Sequence, residues 1–225
     1  MGKGLTGNQL KLIAMLTMTI DHIGHILFPH VMWLRMIGRL AMPIYAYFIA
    51  EGCLYTRNIS KYLTTIAVTA LLCQVVTTLT GSLYQSILVT FSMSVGLIML
   101  LKQAKKRRSL LWFLLFTLAV ATAWFVTEAL PKLLPGTDYD VDYGFWGVMM
   151  PVVLWLVPTK PLKLLTTAFF LCLIYSNSRL LLLCALGAVV LLALYNGKRG
   201  KANLKWMFYG YYPFHLAVLH LIAML

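Results

Sequence analysis

Leu10-Lys-Leu-Ile-Ala-Met-Leu-Thr-Met-Thr-Ile-Asp-His-Ile-Gly-His-Ile-Leu-Phe28 is the stretch that decides the fold. As a helix rising about 1.5 Å per residue it reaches most of the way across a ~30 Å hydrocarbon layer. It is apolar at most positions, yet it carries Asp21 and His22 side by side, with His25 one turn further on. Ionisable groups inside such a run are expensive, and they mark function more often than not.

The rest of the chain resembles this segment. It is 61% hydrophobic and 11% charged, where a soluble domain carries about 25% charged residues. Apolar runs follow one another with short breaks. A spanning element must satisfy its own backbone, which leaves helices or a closed barrel, and runs without two-residue alternation are helices. The expected fold is all-α, a polytopic integral membrane bundle forming one domain over residues 1–225. About nine spans are expected, near 10–29, 32–55, 62–80, 84–101, 109–130, 143–158, 162–176, 179–196 and 205–224. The polar Met1–Asn8 segment is too short for a cleaved signal, so the first helix is expected to remain as an anchor.

Charge placement orients the bundle. With the N-terminus inside, one side carries Lys3, Lys11, Arg57, Lys61, Lys102, Lys105, Lys106, Arg107, Arg108, Lys160, Lys163, Lys198, Arg199, Lys201 and Lys205. The other keeps Arg35, Lys132 and Arg179, with Arg39 inside the second span. That bias puts the N-terminus in the cytoplasm and the C-terminus outside, in a multi-pass protein of the cytoplasmic membrane. The net charge of +13 therefore reads as topology and contact with anionic membrane lipids rather than binding of nucleic acid. Cys53, Cys73, Cys172 and Cys184 lie scattered in apolar runs and read as buried small hydrophobes. Asp138, Asp140 and Asp142 crowd the loop after Pro131. Without the glycine and closing glutamate of a calcium loop they read as a solvated acidic loop.

Spacing gathers the polar residues. Lys11 and His22 are eleven residues apart, about three turns, so they share a face. His22 and Arg39 lie equally far from the turn at His30 and Val31, hence at one depth in an antiparallel pair. Arg39 cannot shed its charge and needs an anionic partner, for which Asp21 is nearest. Arg35 shares the face of Arg39. Asp21 and His25 can hydrogen-bond at i,i+4. Glu51 lies level with Lys11 and can pair with it. The last span adds Tyr211, Tyr212 and His215, with His215 at about the level of His22 and Pro213 opening the backbone ladder beside it. His30 and His220 sit near helix ends and read as interfacial.

No nucleophile elbow, P-loop or metal-binding histidine spacing is present in the sequence, and no metal is expected. A histidine oriented by an aspartate is a general base or a nucleophile. Arginines beside it can hold an anionic substrate or an oxyanion. Lys11 and the basic loops suit a phosphorylated cytoplasmic ligand.

The blocks Leu10-Lys-Leu-Ile-Ala-Met15, Ile20-Asp-His-Ile-Gly24, Gly38-Arg-Leu-Ala-Met-Pro-Ile44, Ile49-Ala-Glu-Gly52, Thr56-Arg-Asn58, Asp142-Tyr-Gly144, Gly147-Val148, Tyr212-Pro213 and His215-Leu216 resemble the TraX family, in the family's order along nearly the whole chain. That family takes its name from a conjugation protein that N-acetylates pilin. It is related to acyltransferase family 3 and to heparan-α-glucosaminide N-acetyltransferase, and the Lys11-to-His22 spacing is similar to the first-helix motif of acyltransferase family 3. The resemblance implies acetyl-CoA as donor, a buried catalytic histidine and transfer of acetyl across the membrane.

The expected function is thus a membrane acyltransferase for a hydroxyl or amine on a glycan, lipid or protein, with an oligomer compatible with the chain. His22, Asp21, Arg39 and His215 would form the catalytic group, with Asp21 orienting His22. Lys11, Arg57, Lys61 and Glu51 would line the coenzyme A side, and Arg35, His25 and Tyr212 the acceptor side. A proton-coupled transporter using Asp21, His22 and Arg39 as a relay is the main alternative. A non-catalytic membrane assembly protein is the other.

Overall fold

The computed structural model describes residues 4–224, Lys205 by its backbone alone. The regular elements among them are helices, and two isolated bridges, Leu5 to Tyr195 and Gln85 to Val141, are the extended pairing. In order the helices are α1 (Gly7–Ile26), α2 (Met32–Gly38), α3 (Ala41–Tyr55), α4 (Ile59–Leu79), α5 (Ile87–Arg107) and α6 (Leu110–Trp124). A π-helical turn, Phe125–Ala129, runs on into α7 (Leu130–Leu133). Then come α8 (Gly144–Leu156), α9 (Lys160–Ile174), α10 (Arg179–Ala193) and α11 (Lys205–Ala223).

Three helical stretches are long and apolar enough to cross a membrane: Ile59–Leu79, Ile87–Arg107 and Leu110–Leu133. Leu110, Leu111, Leu114 and Leu118 of α6 are exposed, as are Leu71, Leu72 and Leu79 of α4. In water each such side chain forgoes about 1.5–3 kcal/mol of burial, whereas against acyl chains it loses nothing. The hydroxyls of Thr17, Thr19, Thr69, Thr122, Thr127 and Thr167 each donate to the carbonyl four residues back. This lets polar residues sit in apolar surroundings without an unpaired donor.

The chain gathers into two compact units. One is Met1–Phe48 with Pro158–Leu225, the other Ile49–Val157. In the first, α1 packs on α2 and α11, α2 on α10, and α10 on α9. In the second, α5 is central and touches α4, α6 and α8. Helix starts follow local chemistry. Thr6 and Gln9 form a reciprocal capping box at α1, and Asn58 accepts from the Lys61 amide at α4, each worth about 1 kcal/mol. Lys160 Nζ closes α10 by donating to the Ala193 and Tyr195 carbonyls, both at 2.7 Å.

Three expectations need correction. The run 32–55 is not one helix but breaks between Gly38 and Ala41. Pro43 lacks the amide that would bond the carbonyl of Arg39, so it sits in the first turn of a new helix. The fourth span starts at Ile87 rather than near 84, because the residues before it are held by the acidic loop. Asp138 accepts from Ser82 Oγ and the Leu83 amide, and Tyr84 Oη donates to Asp142. The Ser82 and Leu83 hydrogen bonds hold the exposed Asp138 carboxyl below its ordinary range. Finally, Cys53 and Cys73 are buried, but Cys172 is exposed and Cys184 half-exposed.

The π turn carries Glu128, whose Oε1 accepts the Phe145 amide at 3.0 Å and so caps the start of α8. Gly144 is required there, since its φ is +55° and a Cβ would lie 2.9 Å from Glu128 Oε1. π turns often re-aim one side chain in this way. Glu128→Ala is expected to lower stability by about 1 kcal/mol through loss of the cap, read as a shift of the thermal unfolding midpoint in detergent.

Candidate functional site

The site lies wholly in the first unit. α1 and α2 form a tight hairpin because each offers a glycine to the other. A Cβ at Gly24 would lie 2.6 Å from Leu34 Cβ, and one at Gly38 would overlap the Asp21 side chain. That proximity brings Asp21 against α2. Arg39 Nη2 donates to Asp21 Oδ1 at 2.6 Å, and Arg35 Nη1 to Asp21 Oδ2 at 2.8 Å. Arg39 Nε also donates to the Arg35 carbonyl, and Arg39 is 8% exposed. The expected Asp21–Arg39 pair is present, with Arg35 as a second partner.

The expected orientation of His22 by Asp21 is not what forms. Both carboxylate oxygens face the arginines, while His22 Nδ1 lies 2.9 Å from His215 Nε2. Neighbouring residues on a helix point about 100° apart, so Asp21 faces α2 and His22 faces α11. His22 and His215 do sit at one depth, as their spacing required. Asp21 being engaged, it does not serve His25, which is exposed.

Hydrogen-bond partners fix the tautomers. His215 Nδ1 lies 3.0 Å from the Tyr211 carbonyl, which only accepts, so Nδ1 carries the proton. In the neutral pair His215 Nε2 then accepts from His22 Nδ1–H, and the lone pair of His22 is at Nε2. No described residue bonds that nitrogen. Tyr211 supports the arrangement. Its ring stacks on His215 at 5.1 Å and 9°. Thr19 Oγ1 donates to the Met15 carbonyl, so the Tyr211 hydroxyl donates to Thr19 at 2.7 Å. Tyr212, 7% exposed, presents its ring edge-on to His22 and His215, so it packs the pair rather than lining an open surface. Spacing groups Tyr211 with His215, one turn before it, but assigns it no role in the site.

Three turns back along α1, the Lys11 ammonium lies 5.0 Å from the Phe48 ring centroid and 5.9 Å from that of Phe208. The loop of Lys198, Arg199 and Lys201 is tied to the start of the same helix, where the Gly7 and Asn8 amides donate to the Lys198 and Arg199 carbonyls. Lys163, sorted from the sequence with the cytoplasmic-side cations, is buried over the Tyr47 ring at 5.5 Å. Of the other residues expected at this end, Glu51 is half-buried, and Arg57 and Lys61 are exposed. All three belong to the second unit. His30 is exposed at the hairpin turn, and His220 is half-buried near the end of α11.

Comparison with known proteins covers nearly the whole chain. The profile of the family described as TraX protein matches residues 6–223. The probable fimbrial assembly protein FimC, serogroup H1, of Dichelobacter nodosus is 27% identical over 94% of this chain and 93% of its own length. The uncharacterized protein RP591 of Rickettsia prowazekii (strain Madrid E) is 51% identical over 17% of this chain and 16% of its own. No solved structure matches significantly.

Proposed function

The chain belongs to the TraX family, and from that premise and its histidine pair we propose that it is a membrane-embedded acyltransferase moving an acetyl group from acetyl-CoA to a hydroxyl or amine. The observation that carries this reading is the tautomer-fixed pair, which leaves a lone pair on His22 Nε2 within an apolar helix. As the acceptor oxygen or nitrogen attacks the thioester carbonyl, His22 Nε2 takes its proton. The C–S bond then breaks, and the sulfur leaves with that proton as the free thiol of coenzyme A. His215 accepts from His22 Nδ1 throughout and holds the ring in this role. Arg39 fixes Asp21 and thereby the α1–α2 hairpin. Arg35 and the exposed His25 face the acceptor.

In this reading the chain crosses the cytoplasmic membrane about nine times with its N-terminus inside. The resemblance of the Lys11-to-His22 spacing to the first-helix motif of acyltransferase family 3 supports the donor assignment. Coenzyme A approaches from the end of α1 that holds Lys11, Lys163 and the basic loop at Lys198–Lys201. The support is the sorting of basic residues along the sequence and the clustering of cations at that end of the first unit.

A test is the release of free thiol from acetyl-CoA by membrane vesicles containing the protein. His215→Leu removes the acceptor for His22 Nδ1–H and should lower the rate about 10–100-fold, the worth of one well-placed hydrogen bond. His215→Gln keeps an acceptor and should retain more of it. Equal rates in both variants and the wild type would sink the orienting role of His215.

A second reading, a non-catalytic part in assembling surface fibres, draws on the name of the Dichelobacter nodosus relative. Here the charged and histidine groups only lock the helices together. It separates cleanly from the first: His22→Gln keeps a hydrogen-bonding side chain and would preserve an assembly role, but would stop transfer.

A further inference from the structure

One carboxylate, Asp21, faces two guanidinium groups, so the cluster carries an excess positive charge. Arg39 is engaged on both edges, through Nη2 to Asp21 and Nε to the Arg35 carbonyl. Arg35 is held by a single nitrogen. Its Nη1 reaches Asp21 Oδ2 at 2.8 Å and the Asp21 carbonyl at 3.5 Å. Its Nε and Nη2 have no partner among the described residues, and its side chain is 29% exposed. Those two N–H groups form the side edge of the guanidinium. Their parallel donors match the two oxygens of a carboxylate or phosphate in a way a point charge does not. Arg39 alone would neutralise Asp21. A second arginine adds charge to an apolar hairpin at a cost that helix packing does not require. This open edge sits where Asp21 meets α2, one residue along α1 from His22.

We infer that Arg35 reads an oxyanion, carboxylate or phosphate, carried by the acyl acceptor next to the hydroxyl or amine that is acylated. The acceptor is therefore an acid, and neutral sugars or amines lacking such a group are poor substrates. The word acceptor rests on the transfer reading above, whereas the oxyanion site itself does not.

Binding without donor keeps the two apart. Purified protein in a non-ionic maltoside detergent is titrated with N-acetylglycine, with its neutral amide N-acetylglycinamide, with inorganic phosphate and with phosphatidylglycerol. Unfolding is followed by tryptophan fluorescence. N-acetylglycine should raise the midpoint and N-acetylglycinamide should not. Arg35→Gln should weaken the apparent affinity about tenfold or more, the loss of a charge-assisted pair. Arg35→Lys keeps the Asp21 ion pair, so it serves if Arg35→Gln does not fold. It should bind more weakly than wild type. Inorganic phosphate acting like N-acetylglycine would also support the site. Equal effects of acid and amide, indifference to both substitutions, or no shift from any anion at tens of millimolar would overturn the inference. So would an Arg35-dependent shift from phosphatidylglycerol alone, which would assign the edge to a lipid headgroup. None of these results depends on acetyl-CoA, so transfer can fail or succeed separately.

Discussion

His22→Ala is expected to reduce transfer of label from radioactive acetyl-CoA to membrane acceptors by roughly 10²–10⁴-fold, the range supplied by one positioned base. Membrane vesicles suit the assay because they carry the native acceptor pool. The loss should fall on turnover rather than on folding. Among the described residues the His22 side chain makes one hydrogen bond, to His215, and deleting it leaves both ion pairs of the α1–α2 hairpin intact. His22→Gln should be almost as inactive, since glutamine supplies no basic nitrogen. Wild-type transfer by a folded His22→Gln protein would leave the histidine pair as a packing device.

Asp21→Asn is expected to have the opposite signature, a loss of folding before any loss of chemistry. The substitution leaves Arg35 and Arg39 without a counter-charge, and Arg39 is 8% exposed. Breaking a buried pair from one side costs about 3–5 kcal/mol, a large share of the 5–15 kcal/mol that holds an ordinary domain. The variant should melt far below wild type in detergent or fail to accumulate. Adding Arg39→Gln removes one stranded charge, so the double variant should lose less than the sum of the two singles. An Asp21→Asn protein within 1 kcal/mol of wild type would contradict a structural ion triad.

Depth was legible in the sequence, and direction was not. Counting residues from the turn at His30 put His22 and Arg39 at one level, counting along the last span put His215 near it, and the structure joins His22 to His215 and Arg39 to Asp21. Which partner each residue takes depends on where around the helix its Cβ points. Neighbours such as Asp21 and His22 diverge too far to serve one another. The break before α3 was written in Pro43, but an unbroken apolar run masks a helix boundary when only hydropathy is counted. Lys163 counts as one more cytoplasmic-side cation until α9 is seen to bury it over Tyr47. Glu128 is similar, since its role as the cap of α8 needs both the π turn and the return of the chain to Phe145. The donor-side set drawn from the sequence, Lys11 with Glu51, Arg57 and Lys61, is divided between the two units. A sequence can sort charges to a side of the membrane but cannot group the loops on that side.

The most direct test of an acyltransferase is whether the purified protein recognises the donor at all, since that needs no knowledge of the acceptor. Acetyl-CoA titrated into the detergent-solubilised wild type should raise its unfolding midpoint. The gain should approach about 2.7 kcal/mol at a hundred times the dissociation constant. Lys11→Ala should reduce it. A midpoint unmoved by millimolar acetyl-CoA would contradict the donor assignment and leave the assembly reading as the better account of the buried histidine pair.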